Sequence, residues 1–164
     1  VPQKAFLFSG TILDNFHHGK KDATMEEIRH AAGIAQIGDI IDGLEDGYHT
    51  RVAQGGNNFS GGQKQRLAIA RALVKKPEIY IFDDSFSALD FKTDARLRAA
   101  LKEETTHSAV ILVAQRISTI MDADQIVVLD EGRVAGIGTH KELMESCTVY
   151  QQIARSQLSE EELA

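Results

Sequence analysis

The chain has 164 residues, of which 43% are hydrophobic and 26% charged, enough for one domain with a buried core. Its net charge of -6 argues against nonspecific nucleic-acid binding, because proteins of that class need a basic surface. The single cysteine, Cys147, excludes an internal disulfide and fits a reduced, intracellular setting.

The chain opens on VPQKAFLFSGTI without an initiating Met, and its sequence shows neither a signal peptide nor an apolar run that could span a bilayer. We therefore expect a segment of a longer polypeptide. Residues 5–16 predict a short strand or turn that leads into a helix. Apolar residues at helical spacing predict one helix over Ala23–Ile41, with Thr24 and Glu27 as a capping box. The Gly-rich residues 42–56 predict a loop.

The middle of the chain predicts an alternation of helices and strands. A strong helical pattern follows Ser60 and stops at Pro77, which cannot continue a helix. EIYIF, residues 78–82, predicts a buried strand, residues 91–105 predict a helix, and residues 108–115 predict a second apolar strand. Because uninterrupted apolar strands alternate with helices, we predict an α/β fold with a parallel sheet that is covered on both faces.

The last part of the chain predicts smaller elements. STIMDA, residues 118–123, predicts a short helix, and residues 124–140 predict a hairpin with Asp-Glu-Gly at its turn. Thr139 and Glu142 predict the capped start of a further helix. Residues 156–164 are acidic and predict a frayed tail.

Two of the predicted strands end at candidate functional residues. Asp83 and Asp84 follow the strand 78–82, and Gln115 ends the strand 108–115. Ligands of parallel sheets bind at the carboxyl ends of the strands, so these positions are candidates for a site. Paired acids after a strand are also compatible with a helix N-cap, and a polar strand end is compatible with an ordinary buried strand.

A Ser-Gly-Gly-Gln string, Ser60 to Gln63, stands at the start of the strongest helical pattern. The backbone N–H groups at such a helix start bind phosphate, and Gly61 and Gly62 let a ligand approach the backbone closely. A plain glycine-containing helix start is the alternative for these residues alone. The complete string NFSGGQKQRLAIARAL, residues 58–73, resembles the signature motif of ATP-binding-cassette (ABC) ATPases.

The strand and the loop that follow the signature helix resemble the same family. IYIFDD, residues 79–84, is similar to its Walker B strand, which implies that Asp83 holds Mg²⁺. SALD, residues 87–90, is similar to the D-loop, which meets the partner subunit, and implies Ser87 and Asp90 as cofactor-binding residues.

The two ends of the chain carry the other two resemblances. Gln3, in VPQKAFLFSGTILDN, resembles the Q-loop glutamine of exporters, which reaches the Mg²⁺ and the attacking water. The alternative for Gln3 is a surface glutamine at a frayed end. Residues 110–143 resemble the switch-strand region and the tail that follows it, although the family usually has His where this chain has Gln115.

The resemblance runs from residue 1 to about residue 155 and implies a P-loop NTPase (RecA-like) core with an inserted α-helical subdomain. Residues 1–76 would hold the Q-loop and the helical subdomain, residues 77–155 the Walker B, D-loop and switch part of the core, and residues 156–164 the tail. The sequence contains no G-x-x-x-x-G-K-[ST] loop, which in the family precedes the Q-loop. The core is therefore expected to be incomplete and to bind ATP poorly by itself.

The resemblance implies Gln3, Asp84 and Gln115 as catalytic residues. Two of these positions depart from the pattern of family members that hydrolyse ATP. Those members usually carry Glu where this chain has Asp84, and His where it has Gln115. The Asp carboxylate falls short by roughly 1 Å, and a misplacement of that size can lower a rate about 10²-fold. Gln115 cannot become cationic or relay a proton. With the signature motif intact, this pattern resembles the degenerate-site half of a heterodimeric exporter.

The resemblance implies an ATPase subunit of an ABC exporter that takes ATP and Mg²⁺ as cofactors. It further implies a second nucleotide-binding domain and a transmembrane domain as partners, at the cytoplasmic face of the cell membrane, and no nucleic acid. The alternatives are an ABC-type ATPase outside transport, as in repair or translation, and an interaction module without catalysis. LFSGTILDN and VLDEGRVAGIGTHKEL look like exporter segments and favour the first interpretation.

Overall fold

The chain divides into two compact units, Val1–Val113 and Ala114–Ala164. The computed structural model describes residues 1–158. Both units contain helices and short strands, in agreement with the predicted α/β class. The predicted subdivision into residues 1–76, 77–155 and 156–164 concerns subdomains and stays a prediction.

The first unit begins with a small sheet and three short helices. The strands pair antiparallel, with Gly10 opposite Val52 and Thr11 opposite Arg51. These elements are β1 (Gly10–Thr11), α1 (Ile12–Gly19), α2 (Met25–Ile34), α3 (Gly38–Asp42) and β2 (Arg51–Val52). The loop predicted over residues 42–56 is largely confirmed, since it contains only β2 and two 3-10 turns.

The single helix predicted over Ala23–Ile41 is wrong, because the segment forms α2 and α3 with a break between them. Gln36 takes a left-handed conformation with φ 57°. Its backbone N–H donates to Gly33 O at 3.0 Å, and that of Ile37 donates to Ala32 O at 2.9 Å. This pair of bonds is a Schellman motif, which ends a helix. The spacing of apolar residues did not indicate the break, because α3 also buries apolar residues in the same core.

The longest elements of the first unit build its core. α4 (Gly61–Val74) and α5 (Phe91–Glu104) each span 14 residues. α4 ends before Lys76, a non-glycine residue with φ 48°, and Pro77 follows directly. The core that α4 shares with α1, α2 and α5 contains Phe16, Ile28, Leu67, Ile69, Leu73, Phe82 and Leu97.

The predicted parallel sheet is present as a pair of strands. β3 (Ile79–Asp83) and β4 (Ala109–Val113) pair in parallel, with Ile81 opposite Ile111 and Asp83 opposite Val113. The expectation that both faces are covered is wrong for this chain. Tyr80 and Phe82 are buried, whereas Ile81 and Ile111 on the other face are 54% and 50% exposed. Strand side chains alternate between faces, and the core of the first unit lies on one face only.

The second unit packs two helices on one face of a hairpin. Its elements are α6 (Ile117–Ile120), β5 (Ile126–Asp130), β6 (Arg133–Gly138), α7 (His140–Ser146) and α8 (Thr148–Gln157). Glu131 and Gly132 both have positive φ at the predicted hairpin turn. The predicted cap of α7 is confirmed, since the Glu142 backbone N–H donates to Thr139 Oγ1 at 3.4 Å. α8 includes residues 156–157 of the predicted tail, and residues 159–164 lie outside the described part of the chain.

Within residues 1–158, every helix is too short or too polar to span a bilayer.

Candidate functional site

The two aspartates stand where β3 leaves the sheet. The Asp83 side chain is exposed and that of Asp84 is half-buried. Asp84 takes a left-handed conformation with φ 45°, and its backbone N–H donates to Val113 O at 2.8 Å. The next helix begins at Phe91 and is capped by Asp90, so the pair does not serve as its N-cap. Both carboxylates are therefore presented at the carboxyl end of the parallel strands.

Gln3 lies beside this strand end, although 81 positions separate it from Asp84 in the sequence. Its side-chain Nε2 donates a hydrogen bond to Asp84 Oδ2 at 3.0 Å. Gln3 is exposed, as the alternative interpretation of a surface glutamine expects, but its side chain is hydrogen-bonded to Asp84. The structure thus brings together two of the three residues predicted as catalytic.

Two buried polar residues that the sequence analysis did not single out hold the segment around Gln3. Ser85 is fully buried, and its hydroxyl donates to Val1 O at 2.8 Å. Gln65 is 2% exposed, and its Nε2 donates to Pro2 O at 3.3 Å. Neither residue has a local sequence signal, since Ser85 stands in DDSFS and Gln65 in GQKQR, among other polar residues. Both are hydrogen-bonded, as buried polar groups generally are.

Ser60 and Gln63 form a capping box at the start of α4. The Gln63 backbone N–H donates to Ser60 Oγ at 3.3 Å, and the Ser60 backbone N–H donates to Gln63 Oε1 at 2.9 Å. The spacing of these two predicted site residues therefore has a structural role. The capped helix start directs its remaining N–H groups and the positive end of the helix dipole outward.

The two glycines of the signature string differ in their surroundings. A Cβ added to Gly61 would have no atom within 4 Å, whereas one added to Gly62 would lie 3.3 Å from Ala88 O. Gly61 is therefore open to the approach of another molecule. Gly62 instead permits close packing of α4 against the loop Ser87–Asp90, which places two of the predicted motifs side by side.

Ser87 and Asp90, predicted as cofactor-binding residues, both organise their own loop. The Ser87 hydroxyl donates to Asp84 O at 2.9 Å. Asp90 Oδ1 accepts the Thr93 backbone N–H at 3.0 Å and caps α5. Hydrogen bonds from the side chain and then the backbone of Thr93 hold the pKa of Asp90 below its usual value. Its carboxylate is therefore ionised at neutral pH.

Gln115 belongs to the second unit, and its side chain is exposed. Its backbone carbonyl accepts a hydrogen bond from Gln157 Nε2 at 2.8 Å. Gln157 Oε1 in turn accepts the backbone N–H of Ile117 at 2.9 Å. One amide side chain of α8 therefore holds the backbone on both sides of Arg116. Gln157 was not among the predicted site residues, because a polar residue near the end of a helix carries no local signal.

The residues at the strand end fit the metal and the nucleotide that the sequence predicts. A carboxylate oxygen of Asp83 and the amide oxygen of Gln3 are hard ligands of the kind that Mg²⁺ takes in small numbers. Within residues 1–158, no group of three or more His, Cys, Asp or Glu side chains could hold a metal ion. The start of α4 fits an anionic phosphate.

Comparison with known proteins identifies the family. A family model described as ABC transporter matches residues 1–87. An uncharacterized ABC transporter ATP-binding protein of Mycobacterium tuberculosis is 48% identical over 96% of this chain, and 27% of the relative is covered. The ABC transporter ATP-binding protein YfiB of Bacillus subtilis is 47% identical over 98% of the chain and 28% of its own length. The chain thus spans about a quarter of the length of these relatives.

A solved structure shows the same fold. A chain described as a bacterial Atm1-family ABC exporter with ATP bound matches with a TM-score of 0.92 and 42% sequence identity. The match covers 97% of this chain and 28% of the exporter chain. This likeness confirms the predicted P-loop NTPase fold and its incomplete core. The chain therefore belongs to the ABC transporter family, as part of a nucleotide-binding domain of the exporter type.

Proposed function

We propose that the chain is the ATP-binding part of an ABC exporter subunit, which binds MgATP between two nucleotide-binding domains and couples ATP hydrolysis to transport. The observation that carries the proposal is the hydrogen bond of 3.0 Å between Gln3 and Asp84, next to Asp83 at the strand end. It joins the segment that resembles the Q-loop to the one that resembles the Walker B strand. The likeness to an exporter with ATP bound supports the same conclusion.

Each predicted residue has a role that its chemistry allows. Asp83 and the amide oxygen of Gln3 would hold Mg²⁺, which when bound offsets the charge of the phosphates. The N–H groups of the signature helix, Ser60 to Gln63, would bind the phosphates of an ATP held mainly by a second nucleotide-binding domain. Ser87 and Asp90 would lie at the contact between the two domains.

The proposed site of this chain turns ATP over slowly. Asp84 is one methylene shorter than the glutamate that activates water in the family, and a displacement of about 1 Å can lower a rate about 10²-fold. Gln115 donates a hydrogen bond but cannot carry a positive charge. Because the signature string is intact, its helix would complete the faster site of a partner subunit. The full-length pair would then be a heterodimer with one fast and one slow site.

A transmembrane domain is the second proposed partner, which would put this chain at the cytoplasmic face of the cell membrane. Two of the exporter-like segments, LFSGTILDN and VLDEGRVAGIGTHKEL, support a transporter over an ABC-type ATPase of repair or translation. The exporter neighbour supports the same choice.

Substitution of Gly61 tests the proposed phosphate-binding role without disturbing the fold. A methyl group there meets no atom of this chain within 4 Å, so Gly61→Ala is expected to fold normally. In the full-length transporter we expect it to lower ATP turnover about 10-fold or more, because the added methyl keeps the phosphates from the backbone. Gly33→Ala is the matched control, since its methyl group also meets open space. Equal turnover of the two variants would contradict the proposal.

A further inference from the structure

We infer that Asp84 is a positioning residue for Gln3: its carboxylate orients the Gln3 amide so that the amide oxygen faces the metal ion. The inference rests on the proposed function, since it assumes that this chain helps to bind MgATP. Asp84 would then have a role other than the activation of water.

The backbone on both sides of the contact is fixed. Val1 O accepts hydrogen bonds from the Asp83 backbone N–H at 2.9 Å and from the buried hydroxyl of Ser85 at 2.8 Å. Pro2 O accepts one from the buried amide of Gln65 at 3.3 Å. Asp84 is held to Val113 O at 2.8 Å. With the two residues before Gln3 and the backbone of Asp84 anchored, the contact between the two side chains decides where the amide points.

The chemistry of the two groups determines which way the amide turns. An ionised carboxylate only accepts hydrogen bonds, whereas a glutamine amide has one donating and one accepting end. Asp84 Oδ2 therefore selects the NH₂ end of Gln3, with which it makes the bond of 3.0 Å. The amide oxygen is left for a cation, which would be repelled by the NH₂ end. Partners of this kind fix a metal ligand in its binding orientation.

The local backbone suits Asp at this position. Asp84 has φ 45°, a left-handed conformation in which Asp is enriched among non-glycine residues. The shorter acid thus reaches Gln3 from a backbone conformation that it tolerates well.

Manganese affinity tests the inference without relying on turnover. Mn²⁺ is titrated into the full-length transporter with a saturating, non-hydrolysable ATP analogue, and the free ion is followed by electron paramagnetic resonance. We expect Asp84→Ala to weaken Mn²⁺ binding at this site about 10-fold. This is the lower end of the loss in metal affinity when a residue that hydrogen-bonds a metal ligand is removed. Asp84→Asn keeps an acceptor for the Gln3 amide and should therefore keep most of the parent protein's Mn²⁺ affinity. Asp46→Ala, at an exposed carboxylate without a cap hydrogen bond, is the matched control.

A double-mutant cycle shows whether Asp84 acts through Gln3. In a Gln3→Ala background, Asp84→Ala should weaken Mn²⁺ binding no further. Full additivity of the two substitutions, or an Asp84→Asn variant as weak as Asp84→Ala, would overturn the inference, since Asp84 would then act on the ion by its charge. A parent protein without nucleotide-dependent Mn²⁺ binding would overturn the proposed function as well.

Discussion

Ser60 shows how one side chain can serve a helix and a ligand site together. Its hydroxyl accepts the Gln63 backbone N–H and so caps α4, while the same helix start faces outward beside Gly61. The spacing from Ser60 to Gln63 would be required for the helix even without a ligand. A loss of function after substitution at Ser60 is therefore informative only when the stability is measured as well.

We expect Ser60→Ala to lower the free energy of unfolding by about 1 kcal/mol, because an N-cap hydrogen bond is lost. Ser60→Thr keeps a capping hydroxyl and should stay close to the parent protein. Urea denaturation followed by circular dichroism measures both variants. A Ser60→Ala variant as stable as Ser60→Thr would show that the cap contributes nothing measurable.

The residues that depart from the family pattern lead to a second prediction at this scale. In the full-length pair, Asp84→Glu together with Gln115→His should raise ATP turnover at this site, because both water-activating groups are restored. The repositioned carboxylate alone could raise the turnover rate up to about 10²-fold. Turnover is measured with the partner's own site inactivated, so that only this site contributes. No rise in turnover would refute the degenerate-site proposal.

Three further helices begin with capping boxes in which a carboxylate accepts the backbone N–H of a threonine. In α1, hydrogen bonds from the side chain and then the backbone of Thr11 lower the pKa of Asp14. In α2, hydrogen bonds from Lys20 and then Thr24 lower the pKa of Glu27. In α7, the backbone N–H and then the side chain of Thr139 lower the pKa of Glu142. Each of these helix starts is therefore sensitive to acid.

The sign of this pH dependence follows from the direction of the shifts. A carboxylate whose pKa is lower in the folded state stabilises that state above the unfolded pKa, about 4 for Asp and Glu. This stabilisation is lost as the pH falls through the folded pKa. The free energy of unfolding should therefore be level between pH 5 and 7 with respect to these groups and should fall as the pH drops below about 4.

Asp14→Asn should remove part of this dependence. Asn keeps an oxygen that can accept the Thr11 N–H, now held by Asp14 Oδ2 at 2.8 Å, but it does not titrate. We expect the variant to be less stable than the parent at pH 6, with a difference that shrinks toward pH 3. Urea denaturation at several pH values checks this, with Asp46→Asn as the matched control. A difference that grows toward low pH would contradict the assignment.

The whole molecule leaves apolar strand faces in contact with solvent in each unit. In the first unit, the exposed face of β3 and β4 carries Ile79, Ile81, Ile111 and Val113. In the second unit, the exposed face of the hairpin carries Val127, Leu129, Val134 and Ile137. Contiguous apolar faces of this kind are rare on proteins that act alone. The 164-residue chain by itself is therefore expected to associate.

We expect concentration-dependent self-association of the chain, and we expect Ile81→Thr with Ile111→Thr to reduce it. These two residues are opposite each other in the parallel pair, and Thr keeps a good strand propensity. Sedimentation velocity over a concentration series measures the effect. Met25→Gln, at an exposed apolar residue elsewhere, should leave the association unchanged. A double variant that associates as strongly as the parent would assign the association to another surface.

The sequence by itself determined the helix caps at Thr24 and Thr139 and the hairpin turn, because each depends on residues close together in the chain. It also predicted the parallel pair of strands, from the alternation of apolar strands with helices. It also placed Asp83 and Asp84 at a strand end and predicted their site. Only the tertiary structure decided the contact of Gln3 with Asp84, the anchoring by Gln65 and Ser85, and the exposure of one face of β3 and β4. These features join segments far apart in sequence, and the path of the whole chain, which no local pattern encodes, decides which of them meet.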